Sequence, residues 1–288
     1  MANIKDLKKK IKSTKGTHKI TKAMKLVSAA KLSKAQSRIL SLKPYSEELQ
    51  STVKRMTAVV SGYSHPLFND GTGPHSAMLI ISAEKGLCGS YNSGLVKKVR
   101  QFLKENAHLN FKHYFVGKKA KDLLAKEVEI GQHFKFKKNE PTVDELRVVA
   151  DTLSELFKSH EVSKVYVAYN TFFSAMNYLP VVKQILPFTL SEKEREKMAG
   201  SLLEYKYDPS PESILDILIP EVYFNTINTA VLDAIASEHG ARMVSMENAS
   251  KNCAEVIHKQ TLKMNKLRQA AITTELIEVV SGAESLKG

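Results

Sequence analysis

From Asn3 to Leu42 apolar or small residues recur as Ile4, Leu7, Ile11, Thr14, Thr21, Met24, Ser28, Leu32, Ala35, Ile39 and Leu42. The steps are nearly all three or four, which predicts a single helix with one narrow buried stripe. Pro44 is expected to kink that helix, because proline removes a backbone donor and crowds the preceding turn. The pattern resumes through Leu49, Val53, Met56 and Val60, then breaks at Ser61-Gly62 into a Pro- and Gly-containing linker. The last segment is longer. After Pro220 there is no proline, and Ile227, Val231, Ala234, Ala241 and Val244 mark a stripe. After a one-residue phase shift it continues as Ala249, Cys253, Val256, Leu267, Ala270, Thr274 and Ile277. A helix of ~60 residues extends ~90 Å, so a coiled coil is expected, and a seam of Ala, Ser and Thr suits a two-helix rod.

Between these ends the period changes. Ala77-Met-Leu-Ile-Ile-Ser82, His113–Val116 and Val165–Tyr169 read as buried strands, alternating with helices over 93–105, 120–126 and 142–159. Alternation of this kind predicts a small α/β domain with a largely parallel sheet. Val181–Leu190 reads as a further strand, placed at an edge by Pro187. The expected organisation is an N-terminal coiled-coil helix over 1–60, a linker over 61–76, an α/β domain over 77–211 and a C-terminal coiled-coil helix over 212–288. One helix enters the domain and the other leaves it, so the two pair antiparallel. The C-terminal helix is the longer and overhangs its partner.

Charge sharpens this picture. Residues 1–45 hold 13 Lys or Arg against the single acid Asp6, and so carry +12 of the chain's +13. Such density calls for an acidic partner or a solvated face, and a basic helix is also the footprint of a nucleic-acid binder. No stretch approaches the roughly 18 apolar residues of a membrane span. The Lys-rich start runs without a break into the helical pattern, which marks it as mature structure rather than a transit peptide. Cys88 and Cys253 fit no metal or redox spacing and imply a reducing compartment.

Catalytic signals are weak. Ser82–Asn92 follows a strand and precedes a helix, the place of a phosphate loop, yet it lacks G-x-G-x-x-G and a closing Gly-Lys-Ser/Thr. A tight turn using Gly86 and Gly89 is the simpler account. The nine histidines show no ligand spacing, and Glu192, Glu194 and Glu196 lie in an ordinary charged run. A small α/β enzyme with helical arms, or a nucleic-acid-binding coiled coil, stand as rival readings.

The ends carry longer motifs. Lys19-Ile-Thr-Lys-Ala-Met-Lys-Leu-Val-Ser-Ala-Ala-Lys-Leu32, Met264-Asn-Lys-Leu-Arg-Gln-Ala-Ala-Ile-Thr-Thr-Glu-Leu-Ile-Glu278, Ser237-Glu-His-Gly-Ala-Arg-Met-Val244 and the Gly86-Leu-Cys-Gly89 turn resemble the γ subunits of F-type ATP synthases of bacterial type. The likeness spans essentially the whole chain. It implies an antiparallel coiled coil with an inserted Rossmann-like domain, turning as the central stalk in an α3β3 hexamer and coupling ion flow through the c-ring to ATP synthesis or hydrolysis. The chain would then hold no catalytic residue, cofactor or metal, since Mg-ATP and Mg-ADP sit on the partner subunits. By the same resemblance Lys8, Lys9, Met24 and Lys25 face an acidic lobe of β, and Glu238 and Arg242 make mid-shaft contacts. Arg268, Gln269 and Thr273 meet a β loop near the upper shaft, and the tip over 283–286 turns in an apolar sleeve. Tyr205, Lys206 and Tyr207 belong to a foot that meets the ε subunit and the c-ring. Nucleic acid is not an expected partner. The implied location is the cytoplasmic face of the bacterial inner membrane, with membrane contact only through the ring. Three departures stand out: Gly240, which is expected to loosen its helix by about 1 kcal/mol relative to Ala, Leu267 in place of Ala, and Ser82-Ala-Glu-Lys85 before the turn. No cysteine-bearing regulatory insertion is present.

Overall fold

The computed structural model describes residues 4–60, 63–68, 71–136, 140–188 and 207–285. Ten elements follow in order: α1 (Ile4–Val59), β1 (His75–Ile81), α2 (Tyr91–Glu105), β2 (Phe111–Val116), α3 (Lys118–Leu124), β3 (Glu129–Phe134), α4 (Val143–Lys158), β4 (Val162–Phe172), β5 (Tyr178–Leu186) and α5 (Pro211–Ser285). They pack into two compact units, residues 1–28 with 243–288 and residues 29–242.

In the first unit α1 and α5 run antiparallel. The His18 ring lies 3.0 Å from the Ser250 carbonyl, and the next pair up α1, Lys25, meets Glu247, earlier on α5. The seam is thin, as its small residues predict. Leu7, Ile11, Thr21 and Ser28 are buried on α1, facing a half-buried row on α5 of Ser250, Cys253, Ile257, Gln260, Met264, Leu267 and Ala271 after buried Met246. Steps of three and four in strict alternation are the heptad signature. The expected phase slips along α5: Val256 is 41% exposed, and its neighbour Ile257 takes the seam position. Ala270 is exposed for the same reason, its neighbour Ala271 being in the seam, while Thr274 and Ile277, also assigned to the stripe, are exposed beyond Ala271, the last seam residue named.

In the second unit a five-stranded sheet has the order β3-β2-β1-β4-β5. The first four strands are mutually parallel, and β5 is antiparallel to β4. From Ala77 onward β1 is apolar because both faces are covered, the usual state of a parallel strand. Met78 and Ile80 pack with Leu95, Val96 and Val99 of α2 and with Ala120 and Leu124 of α3. Ala77, Leu79 and Ile81 point to the other face, where α4 supplies Leu146, Val149, Leu153 and Phe157. That second core also takes in Leu49, Val53 and Met56 of α1 and Leu215, Ile219, Val222, Ile227, Val231 and Ala234 of α5. The domain-proximal halves of both long helices are therefore structural parts of the α/β unit. Packing divides the chain inside the helices, at 28/29 and 242/243, whereas the expected divisions followed the helix ends.

Smaller differences have local causes. β1 begins at His75, inside the expected linker, whose Leu67 is buried and accepts the Phe188 N–H at 2.9 Å. The helix α1 continues through Pro44, which is exposed. β3 went unpredicted because residues 129–132 are exposed and polar enough to hide an edge strand. β5 ends before Pro187; the proline within this edge strand is Pro180, opposite Asn170. Gly240 answers to a close approach: a β-carbon there would stand 3.0 Å from the Ala175 Cα and carbonyl oxygen of the β4–β5 turn. The helix-loosening expected from composition is thus the condition for that turn to pack on α5. Glu192, Glu194 and Glu196 lie outside the described residues.

Candidate functional site

On the paired helices Lys8 and Lys9 are exposed, and Met24 is half-buried beside the seam. Lys25 is engaged by Glu247, which Lys251 also approaches at 3.6 Å. Further along α5, Arg268, Gln269 and Thr273 are all exposed, with the Thr273 hydroxyl donating to the Gln269 carbonyl at 3.0 Å. Beyond them Ile272, Leu276, Ile277, Val279 and Val280 are between 48% and 69% exposed. An apolar run of this kind on one helix end marks a surface made to be covered by another molecule.

Of Glu238 and Arg242, expected as contacts with partner subunits, Arg242 is buried and Glu238 half-buried, and the two are bonded to each other inside the chain. Arg242 is 7% exposed. Its Nη1 donates to Glu238 at 2.7 Å, and the rest of the guanidinium donates to the carbonyls of Lys85 and Gly86 at 3.1–3.3 Å. Burial pushes the Glu238 carboxyl up, and the Arg242 charge opposes that push. The pair clamps the 82–90 turn onto α5. That turn is not a phosphate cradle in outline: the Ala83 N–H is spent on the Asn92 side chain at 3.1 Å, and Tyr91 reaches the Ala234 carbonyl at 3.0 Å. Its left-handed residues are Gly89 (φ 57°) and Leu87 (φ 61°), so Gly86, expected to share that role, is not the one that takes it. Burial also pushes the Cys88 thiol up, against a reactive role.

Sequence reasoning missed a second polar cluster. Glu140, just before α4, accepts from Lys31 of α1 at 2.8 Å and lies 3.5 Å from His239 of α5. Burial raises the Glu140 carboxyl, but Lys31 and His239 outweigh it and hold the group below its ordinary value. Burial, then the charges of Lys31 and Arg242, lower His239 to about 4. It is therefore neutral at pH 7, and its contact with Glu140 is a weak hydrogen bond rather than an ion pair. Residues 31, 140 and 239 share no local pattern, so no window of sequence could have joined them.

Asp233 of α5 is another half-buried carboxylate that burial leaves poorly compensated. Desolvation raises it from 3.8 to about 6 against the pull of Lys183, the Phe172 N–H and Lys43. A carboxyl raised in the fold favours its protonated form there. Its cost is absent below pH 3.8, grows as pH rises to about 6 and is complete above. Asp233→Asn is expected to raise stability at pH 8 by on the order of 2 kcal/mol, allowing for partial exposure, and by little at pH 4. Urea midpoints of both proteins at the two pH values test this; equal gains at both would refute it.

Of the foot residues, Tyr205 and Lys206 lie outside the described residues, while Tyr207 is half-buried against the main core. Among the described residues no group of His, Cys, Asp or Glu is placed to hold a metal, and no helix is long and apolar enough to cross a membrane.

Comparison with known proteins agrees over the full length. A family model for ATP synthase matches residues 3–286. The chain is 37% identical over 288 residues to the ATP synthase gamma chain of Moorella thermoacetica, with all of both chains covered. It is 38% identical to that of Anaeromyxobacter sp., again end to end. Its fold is similar to a chain of the Euglena gracilis mitochondrial ATP synthase OSCP/F1/c-ring assembly, with a TM-score of 0.69, 19% identity and coverage of 98% and 94% of the two chains. A chain of the Tetrahymena thermophila mitochondrial ATP synthase central stalk/c-ring superposes with a TM-score of 0.60 at 22% identity, covering 80% of this chain and 99% of that one. With a paired-helix unit, a parallel α/β unit and full-length relatives at this identity, the chain belongs to the family of ATP synthase γ chains.

Proposed function

We propose that this chain is the rotor of a bacterial F-type ATP synthase, turning within an α3β3 hexamer and linking ion flow through a c-ring to ATP synthesis or hydrolysis on the β subunits. The observation that carries the reading is the overhanging end of α5, which exposes Arg268, Gln269 and then a run of apolar residues that no described residue of the chain covers. An apolar helix end suits a sleeve in which it slips, because dispersion contacts have no directional partner to break on rotation. Diffuse attraction between the exposed lysines of α1, such as Lys8 and Lys9, and an acidic lobe of β would likewise slide, since Lys is a flexible point charge. Work passes by differential contact: each angle of an asymmetric shaft favours one conformation of each β subunit over the others.

In this reading nucleotide and magnesium sit on the partner subunits, and this chain makes no bond itself. Tyr207, with Tyr205 and Lys206, belongs to the foot that meets the c-ring and the ε subunit. The complex lies on the cytoplasmic face of the inner membrane, held there through the ring. Arg242, paired with Glu238, also holds the 82–90 turn.

Arg268→Ala with Gln269→Ala is expected to lower the ATPase rate of the reconstituted assembly about tenfold or more, the loss typical of an interfacial Arg anchor. Both side chains are exposed and outside the seam, so helix pairing should survive, as circular dichroism would verify. An unchanged rate would remove the contact. Native purification from membranes that recovers this chain without α or β subunits would remove the rotor reading altogether.

A further inference from the structure

A cleft of 1120 Å³ opens beside α1, lined by Lys31, Lys34 and Arg38 on one wall and by Leu42, Val143, Leu146, Leu232 and Ile235 among its apolar floor residues. We infer that this cleft binds a single-chain amphipathic phosphate, its headgroup held between Lys34 and Arg38 and its tail on the apolar floor. The inference does not depend on the rotor reading.

All three cations of the cleft lie on α1, while α4 and α5 give it the apolar Val143, Leu146, Val231, Leu232 and Ile235. The charged groups lining it are Lys31, Lys34, Arg38 and Glu140. Glu140 is engaged by Lys31, which leaves Lys34 and Arg38 as excess positive charge. Both are exposed, and neither makes an ion pair among the described residues. They stand at i and i+4 on one helix, with β-carbons about 5–6 Å apart. That spacing lets both converge on one headgroup, with Arg supplying a planar fork and Lys a point charge. A partner helix bearing several carboxylates would need a longer row of cations than this pair provides. The volume is close to the upper end of the roughly 300–1,000 Å³ of pockets for drug-sized ligands, far more than a bare phosphate fills. Val143 is 56% exposed on the floor, an apolar side chain left to solvent at the place where a tail would cover it.

Isothermal titration of the full-length chain with decyl phosphate tests this. Binding is expected, with inorganic phosphate at least about tenfold weaker because it lacks the apolar contact. Lys34→Gln with Arg38→Gln is expected to weaken decyl phosphate about tenfold or more by removing two charge-assisted hydrogen bonds. Val143→Asp, a substitution at an exposed first-turn position where an acid favours the helix, is expected to weaken it similarly without unfolding the chain. Equal binding of decyltrimethylammonium, or affinity untouched by either variant, would overturn the site. So would binding to anionic vesicles alone, or preferential occupation by an acidic amphipathic peptide.

Discussion

Arg242→Ala is expected to destabilise the 29–242 unit by about 3–5 kcal/mol, the cost of leaving a buried charge without its partner. The size follows from what the side chain holds. Its guanidinium donates to Glu238 at 2.7 Å and to the carbonyls of Lys85 and Gly86, all within a site where Arg242 itself is 7% exposed. Removing it strands the carboxylate and two acceptors together. The loss should depend on pH. Burial already pushes the Glu238 carboxyl up, and without Arg242 it rises further. A carboxyl raised in the fold costs stability as pH climbs through the interval between its unfolded and folded values, so the deficit should be larger at pH 8 than at pH 5. Arg242→Met with Glu238→Gln removes the charge as a pair and is expected to recover more than half of the loss. Thermal melts of the three proteins at the two pH values decide it. A double variant as unstable as the single one would mean that the carbonyl bonds, rather than the buried carboxylate, dominate.

That pair also marks how far the sequence could be read. The stripe from Ile4 to Met56 was legible because a helix repeats its buried face every three or four residues, and each assigned position is buried or half-buried. Antiparallel pairing and the overhang of α5 followed from chain order and helix length alone. The phase of α5 near Val256 was not legible, since Val256 and Ile257 are equally apolar and only the partner helix chooses between them. β3 was hidden because an edge strand with exposed, polar residues carries no apolar run. Arg242 and Glu238 came from a motif, and a motif does not show that the two are bonded to each other and, through Arg242, to the 82–90 turn. Lys31 read as one more member of a solvated basic face, yet it is fixed by Glu140 from 109 residues away. Charge density was legible; charge pairing was not, because it is made by the fold.

The other large effect sits at a residue that no sequence pattern singles out. Gly117, between β2 and α3, has φ 84° and ψ 149°, a conformation that is essentially closed to any residue with a side chain. A β-carbon there would stand 2.0 Å from the Ser82 carbonyl oxygen and 2.7 Å from its carbonyl carbon. Neither can retreat easily. The Ser82 N–H donates to Val116 at 2.8 Å, its hydroxyl accepts from Ala120 at 3.1 Å, and the adjoining Ala83 carbonyl accepts from Lys119 at 3.1 Å. These bonds tie the end of β1 to the start of α3, so backbone would have to move against backbone. Gly117→Ala therefore combines a strained φ, roughly 1–3 kcal/mol, with overpacking of similar size. The sum is expected to exceed about 4 kcal/mol, large enough to rank among the exceptional single substitutions. Gly94→Ala is the matched control, because nothing lies within 4 Å of a β-carbon at that helical position. It should stabilise α2 by up to about 1 kcal/mol through helix propensity. Urea denaturation of both variants separates the cases, and a Gly117→Ala protein as stable as the parent would show that the β2–α3 turn can be rebuilt around a side chain.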